Sequence, residues 1–220
     1  MAKKKKTGAS TQLEFNTLTQ QFNVIKRQKA ILEQQVKGLK RLVCIDELTK
    51  VGNRRAFDQS LLVALEQSKR SGDPLGILML DLNDFKFVNE TYNHAGGDEA
   101  LKRLSYCLRG CVRVTDTISR LGGDEFVIVL PMTDVASLKI VASRIYERVC
   151  GMQIIYCERT FSISVSIGGI STCAQSVGAA ALTHIADVNL FTAKELYRAN
   201  KGKKSVFIRP YQEIDEDTTG

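Results

Sequence analysis

Strand-like and helix-like segments alternate along this chain around a central hairpin. That pattern predicts an α/β sandwich, a mixed central sheet flanked by helices and preceded by an N-terminal coiled-coil helix. Three observations carry the prediction. LGILMLDL, Leu75 to Leu82, is an unbroken apolar run of the kind that fills a strand buried on both faces. DTISRL and EFVIVLP read as two strands meeting at the paired glycines Gly122 and Gly123. Upstream, Phe15, Leu18, Phe22, Ile25, Lys29, Leu32, Val36, Leu39 and Val43 follow one another at alternating spacings of 3 and 4, the seam of a coiled coil.

The seam, broken only by Lys29, favours a parallel dimer; a single amphipathic helix lying on its own domain is the competing reading. DELTKVGNRRAF, Asp46 to Phe57, ends this helix and starts the next, with Asp46 or Thr49 as cap and Gly52-Asn53 as turn. The second helix runs to about Ser71 and is closed by SGDP. After the buried strand, residues 83–112 read as two helices separated near Asn93 to Gly97. Asp134 to Gly151 is helical, TFSISVSIGGIS alternates like a half-buried strand, Ala180 to about Asn200 is helical, and KSVFIR is the last strand. The expected boundaries are a disordered basic tail over 1–11, the coiled-coil helix over 12–45, a globular domain over 46–211 and an acidic tail over 212–220.

The 220 residues carry a formal charge of +7, which suggests a nucleic-acid or membrane partner until its location is considered. Residues 1–45 hold ten Lys/Arg against two Glu, a local +8 that leaves the remainder at −1. The basicity belongs to the tail and helix, so no nucleic-acid partner is expected. The run Lys3 to Lys6 reads as solvated, with an acidic-lipid or RNA contact as the alternative. Six scattered cysteines without a CxxC pair, beside two histidines, argue against a zinc site and for a reducing cytoplasm. Cys107 and Cys111 read as buried thiols. No apolar run reaches the roughly 18 residues of a membrane span, and no apolar signal segment follows the lysines.

The chemistry lies with the acids. Asp81 falls at the end of the buried strand, and Asp124 and Glu125 lie in the hairpin turn; if those strands are neighbours, three carboxylates converge on one sheet edge. Like charges that close raise one another's pKa. A hard divalent cation relieves the crowding, and Mg²⁺ held by one or two carboxylates plus substrate phosphates is the usual form. Two metals bridging an attacking hydroxyl and a leaving oxygen would give phosphoryl or nucleotidyl transfer. The competing reading is a tight hairpin whose acids face water.

GGDEF, Gly122 to Phe126, resembles the signature of the diguanylate cyclase family, the GGDEF domains. The resemblance runs from about residue 46 to 209 in order and spacing. DELTKVGNRRAF resembles the family's D-x-L-T-G-L-x-N-R-R, and LDLNDFKFVNETYNHAGGDEAL its L-D-[IL]-D-x-F-K-x-[IV]-N-D-x-x-G-H-x-x-G-D-x-x-L. SVSIGGI and ADVNLFTAKELYR resemble its late strand and its A-D-x-A-L-Y-x-A-K helix. The resemblance implies a nucleotidyl-cyclase, palm-like fold with the catalytic domain over 46–211. It also implies Mg²⁺- or Mn²⁺-dependent condensation of two GTP into cyclic di-GMP and pyrophosphate.

Carried over by position, Asp81, Asp124 and the carbonyl of Leu82 would bind the metal. Glu125 would be a further ligand or would take the proton of the ribose 3′-hydroxyl. Asn89 and Asp98 would read the guanine edge. Lys194 and Arg198, four apart on one helical face, would hold phosphates, and Lys86 with the backbone amides around Asp84 and Phe85 would complete the cradle. From the residues alone, a solvated helix face is the favoured reading of these basic side chains. Each domain in the family binds one GTP, so product requires two domains face to face, a homodimer that the N-terminal helix would supply.

RVTD, Arg113 to Asp116, matches the family's R-x-x-D motif for inhibition by the product, with Arg144 as the second arginine. An ordinary surface salt bridge is the alternative. Asn83 stands for the family's Asp, Asn93 for its Gly, and Lys50-Val51 for its Gly-Leu. YRANKGKKSV exceeds the usual G-R-N-x-V by about three residues and sets Lys203 against Arg198 as the phosphate contact; Arg198 keeps its spacing from Lys194. The other functional class is a non-catalytic cyclic di-GMP or GTP binding module. Such members usually lose the acids of the turn, which this chain keeps.

Overall fold

The structure, a computed structural model, describes residues 3–42, 44–173, 177–200 and 205–210. Lys203 and the expected acidic tail over 212–220 lie outside the described residues. The chain divides into two units, 1–43 and 44–220.

The first unit is a single helix, α1 (Lys3–Leu42). It begins inside the stretch expected as a disordered tail; lysine is a good helix former and no proline interrupts residues 3–11. Within the seam, Leu18, Phe22, Ile25, Leu32 and Val36 are between 48% and 66% exposed, an apolar stripe left uncovered. The side chains of Phe15, Leu39 and Val43 fall outside the described residues.

In the second unit, α2 (Arg54–Ser71) precedes β1 (Leu75–Leu82), a strand buried at all eight positions. There follow α3 (Phe85–Arg109), β2 (Thr117–Gly122), β3 (Glu125–Pro131) and α4 (Val135–Cys150). A small hairpin, β4 (Ile154–Tyr156) and β5 (Arg159–Phe161), leads to β6 (Val165–Thr172), α5 (Ala179–Ala199) and β7 (Val206–Pro210). The main sheet has the order β2-β3-β1-β6-β7, with β1 antiparallel to both neighbours and β7 parallel to β6. It is the mixed sheet that the alternating pattern predicts.

Successive residues of β1 serve opposite faces, as the two-residue period of a strand requires. Ile77 and Met79 join Phe57, Leu61 and Leu65 of α2 and Leu182, Ala186 and Leu190 of α5 in one core. Leu78 and Leu80 join Leu101 and Leu104 of α3 and Leu138 and Ile145 of α4 in the other. Each such aliphatic side chain contributes about 1.5–3 kcal/mol by leaving water. With both faces covered, β1 is the fixed centre from which Asp81 projects.

Two local expectations change and one holds. The N-cap of α2 is Asn53, whose Oδ1 accepts from the Ala56 amide at 3.2 Å, rather than Asp46 or Thr49. Asp46 instead closes its own turn, accepting from the Thr49 amide at 2.8 Å and hydroxyl at 2.6 Å. TFSISVSIGGIS is not one strand: its first residues pair with β4, and β6 begins only at Val165. The helical stretch after β1 breaks within the expected interval, at Asn93, which adopts φ 58° and ψ 177°.

Candidate active site

β1 and β3 are neighbours, and their register sets Asp81 opposite Glu125, with Asp124 one residue earlier in the turn. The three acids therefore meet at one end of the sheet. Asp81 is buried, Asp124 half-buried and Glu125 exposed. Burial raises the Asp81 carboxyl above the ordinary carboxylate range, and the neighbouring Asp124 and Glu125 charges add to the rise. Lys194 opposes it from α5, its Nζ 2.8 Å from Asp81 Oδ2.

The turn between β2 and β3 has a backbone that only its glycines accept readily: Gly122 has φ 151° and Gly123 φ 52°. Arg120 fixes this turn. Its Nε and Nη2 donate to the Gly123 carbonyl at 2.9 and 2.7 Å, while Nη1 reaches Asp46 Oδ1 and Oδ2 at 3.2 and 3.3 Å. Sequence reasoning missed Arg120, reading it as one residue of a strand. The only local signal was a cation placed just before two glycines and two acids.

Beyond β1 the chain turns through Asn83 and Asp84. Asn83 is tied to the far side: its Nδ2 donates to Ser164 Oγ at 3.0 Å and its Oδ1 accepts from Ser166 Oγ at 2.7 Å. Asp84 takes the left-handed conformation, φ 54°, at the N-terminus of α3, and its carboxylate accepts from the Tyr197 hydroxyl of α5 at 2.9 Å. It makes no side-chain cap, and the first turn of α3 carries no acid. The amides around Phe85 thus open an electropositive helix end, the kind of place that receives phosphate. Within the described residues, Lys86 pairs with Glu90 at 3.8 Å and Arg198 with Glu195 at 2.5 Å, so neither is drawn into the acid cluster as Lys194 is.

Asn89 lies over the backbone of Gly97; a side chain added there would come within 2.0 Å of Asn89 Oδ1. The kink at Asn93 thereby brings Asn89 beside the segment that carries the exposed Asp98. Elsewhere, Arg113, Asp116 and Arg144 line one surface depression of about 420 Å³ together with Arg148. Asp116 accepts from the Arg113 amide at 2.7 Å, and Arg144 donates through Nε and Nη2 to the Cys111 carbonyl at 3.2 and 2.6 Å. Of the two thiols expected to be buried, Cys111 is buried and Cys107 half-buried; partial burial and the adjacent Cys111 push the Cys107 thiol up to about 11.

The donor set suits a hard divalent cation: two carboxylates on neighbouring strand ends, a third beside them, and a charge that the protein only partly offsets. Among the described residues no three His, Cys, Asp or Glu side chains stand close enough together to hold a metal ion by themselves. No helix among the described residues is long and apolar enough to cross a membrane.

The sheet carries acids at the β1 end and in the β2–β3 turn, and comparison with known proteins identifies the family. The family model described as "Diguanylate cyclase, GGDEF domain" matches residues 43–200; the chain belongs to that family. It is 32% identical over 155 residues to the response regulator PleD of Caulobacter vibrioides, covering 70% of this chain and 34% of PleD. It is 30% identical over 193 residues to the diguanylate cyclase TpbB of Pseudomonas aeruginosa, covering 86% of this chain and 44% of TpbB. The chain thus spans about a third to under half the length of these curated relatives. The crystal structure of the coiled coil and GGDEF domain of DgcB from Caulobacter crescentus, in complex with c-di-GMP, shares the fold. Its TM-score is 0.69 at 20% identity, over 87% of this chain and 99% of that one.

Proposed function

We propose that the protein is a diguanylate cyclase that condenses two GTP into cyclic di-GMP and pyrophosphate. The observation that carries this reading is the meeting of Asp81, Asp124 and Glu125 beside Lys194, next to the uncapped start of α3. Asn89 and Asp98 hold the guanine, since a carboxylate accepts from both the N1–H and the 2-amino group. Lys194, Arg198, Lys86 and the amides around Asp84 and Phe85 hold the triphosphate. Asp81, Asp124 and the Leu82 carbonyl would hold a divalent cation, Mg²⁺ or Mn²⁺, which would supply neutralisation of phosphate charge. Glu125 takes the proton of the ribose 3′-hydroxyl as that oxygen attacks the α-phosphorus of the GTP on a facing domain, and pyrophosphate leaves.

The uncovered stripe of Leu18, Phe22, Ile25, Leu32 and Val36 supports pairing of two chains through α1. The depression holding Arg113, Asp116 and Arg144 supports feedback by the product, with guanidinium groups for its phosphates and a carboxylate for its base. An assay of GTP turnover with Mg²⁺ across protein concentration tests the whole reading. Cyclic di-GMP should form with a specific activity that rises with concentration, and Asp124→Ala should abolish it. Tight product binding without turnover would instead mark a binding module.

A further inference from the structure

The β4–β5 hairpin stands outside the main sheet and reaches back to α3 at the kink between Asn89 and Asp98. Tyr156 ends β4, and its hydroxyl donates to Asn93 Oδ1 at 3.3 Å. That oxygen also accepts from the amides of Ala95 at 2.9 Å and Gly96 at 3.2 Å, so it is the hub of the turn. The Tyr156 ring lies close to Gly96, where an added side chain would stand 3.4 Å from it. Phe161, ending β5, stacks on Tyr92 with centroids 4.3 Å apart and planes at 19°. The hairpin therefore grips the residues on both sides of the kink.

Asn93 replaces the glycine usual in the family, at φ 58° and ψ 177°, a backbone region that glycine alone enters without strain. The exchange adds an acceptor that glycine lacks, and Tyr156 uses it. We propose that Tyr156 is a positioning residue for base recognition: through Asn93 it sets the kink that aims Asn89 and Asp98 at one guanine. The inference rests on the reading of those two residues as the guanine contacts. A loosened kink leaves the phosphate and metal groups untouched but blurs the angle at which the Asp98 carboxylate meets the base.

The test titrates the full chain with GTP and ITP analogues carrying a methylene between the α- and β-phosphorus, since inosine lacks the 2-amino group. Tyr156→Phe should weaken GTP-analogue binding about 3- to 10-fold, the scale of one net hydrogen bond, and shrink the preference for guanine over hypoxanthine. Steady-state turnover should show the same loss in KM, with kcat kept within about 2-fold. Asn93→Gly, which suits the same backbone and removes the acceptor from Tyr156, Ala95 and Gly96 together, should weaken binding at least as much, and adding Tyr156→Phe to it should cost nothing further. Unchanged affinity and preference in Tyr156→Phe, with Asp98→Asn losing guanine selectivity, overturns the role of Tyr156 alone. Unchanged selectivity in Asp98→Asn as well overturns the reading of the base site and the inference with it.

Discussion

Arg120 and Asp46, 74 residues apart in the chain, form an ion pair at 3.2 Å that holds the Gly122–Gly123 turn to the segment following α1. The same guanidinium binds the Gly123 carbonyl twice, so one side chain anchors the residue just before Asp124. Arg120→Ala should cost about 2 kcal/mol, the range for hydrogen bonds to charged groups, measured by urea unfolding. Turnover should fall further than stability alone explains, because the turn loses its anchor; unchanged kcat in a folded variant would refute the role.

The same pair gives stability a pH dependence. Burial works against the Asp46 carboxylate, but the Thr49 hydroxyl and amide and the Arg120 guanidinium outweigh it and hold its pKa below the ordinary 3.8. A carboxylate depressed in the folded state stabilises fully above its unfolded value and loses that contribution as pH falls through its folded one. Unfolding free energy should drop below about pH 4 more steeply in the wild type than in Asp46→Asn. Parallel curves would remove Asp46 from the acid response.

Asp81 has the opposite sign. Its pKa is raised, by burial first and then by Asp124 and Glu125, so the folded protein disfavours its ionised form even with Lys194 present. Asp81→Asn should abolish cyclic di-GMP formation while leaving the thermal midpoint of the ligand-free protein unchanged or higher. A marked fall in midpoint would mean that the Lys194 pair outweighs the crowding.

Glu125 is more exposed than its neighbours and serves as the proton acceptor in the proposed reaction. Glu125→Gln should lower kcat on the order of 10²-fold or more with the Mg²⁺ concentration for half-maximal rate unchanged. A raised Mg²⁺ requirement with modest loss of kcat would make it a ligand instead.

The stripe on α1 should carry association. Phe22→Asp removes about 1.5–3 kcal/mol of apolar burial per chain, so a dimer should weaken on the order of 100-fold or more by sedimentation. Specific activity should drop in step and recover at high protein concentration; activity without association would separate the helix from the reaction.

β1 and the acid turn were legible in the sequence because their signals are local: an unbroken apolar run, and glycines beside acids. The convergence of Asp81 with Asp124 and Glu125 needed the adjacency of β1 and β3, which the sequence left as a condition and the pairing of the two strands meets. Arg120 stayed hidden because its partner Asp46 lies in a different element, and no spacing rule joins them. The β4–β5 hairpin stayed hidden because its turn residues, Cys157 and Glu158, take φ values of 47° and 63° without the glycine or asparagine that normally marks such a turn. Asn53 was read as part of a turn although its position just ahead of α2 made it the cap.

The strand order has a consequence for how the chain reaches this state. Asp81 is flanked by Glu125 on one side and Ser166 on the other, partners drawn from well-separated stretches of chain, so β1 is enclosed only when distant segments have closed upon it. Contacts of that range form slowly, after local helices. The mutual repulsion of the acids therefore arises late, once most of the apolar core is in place to oppose it. Partly folded chains keep those acids apart in water, where their charges cost little.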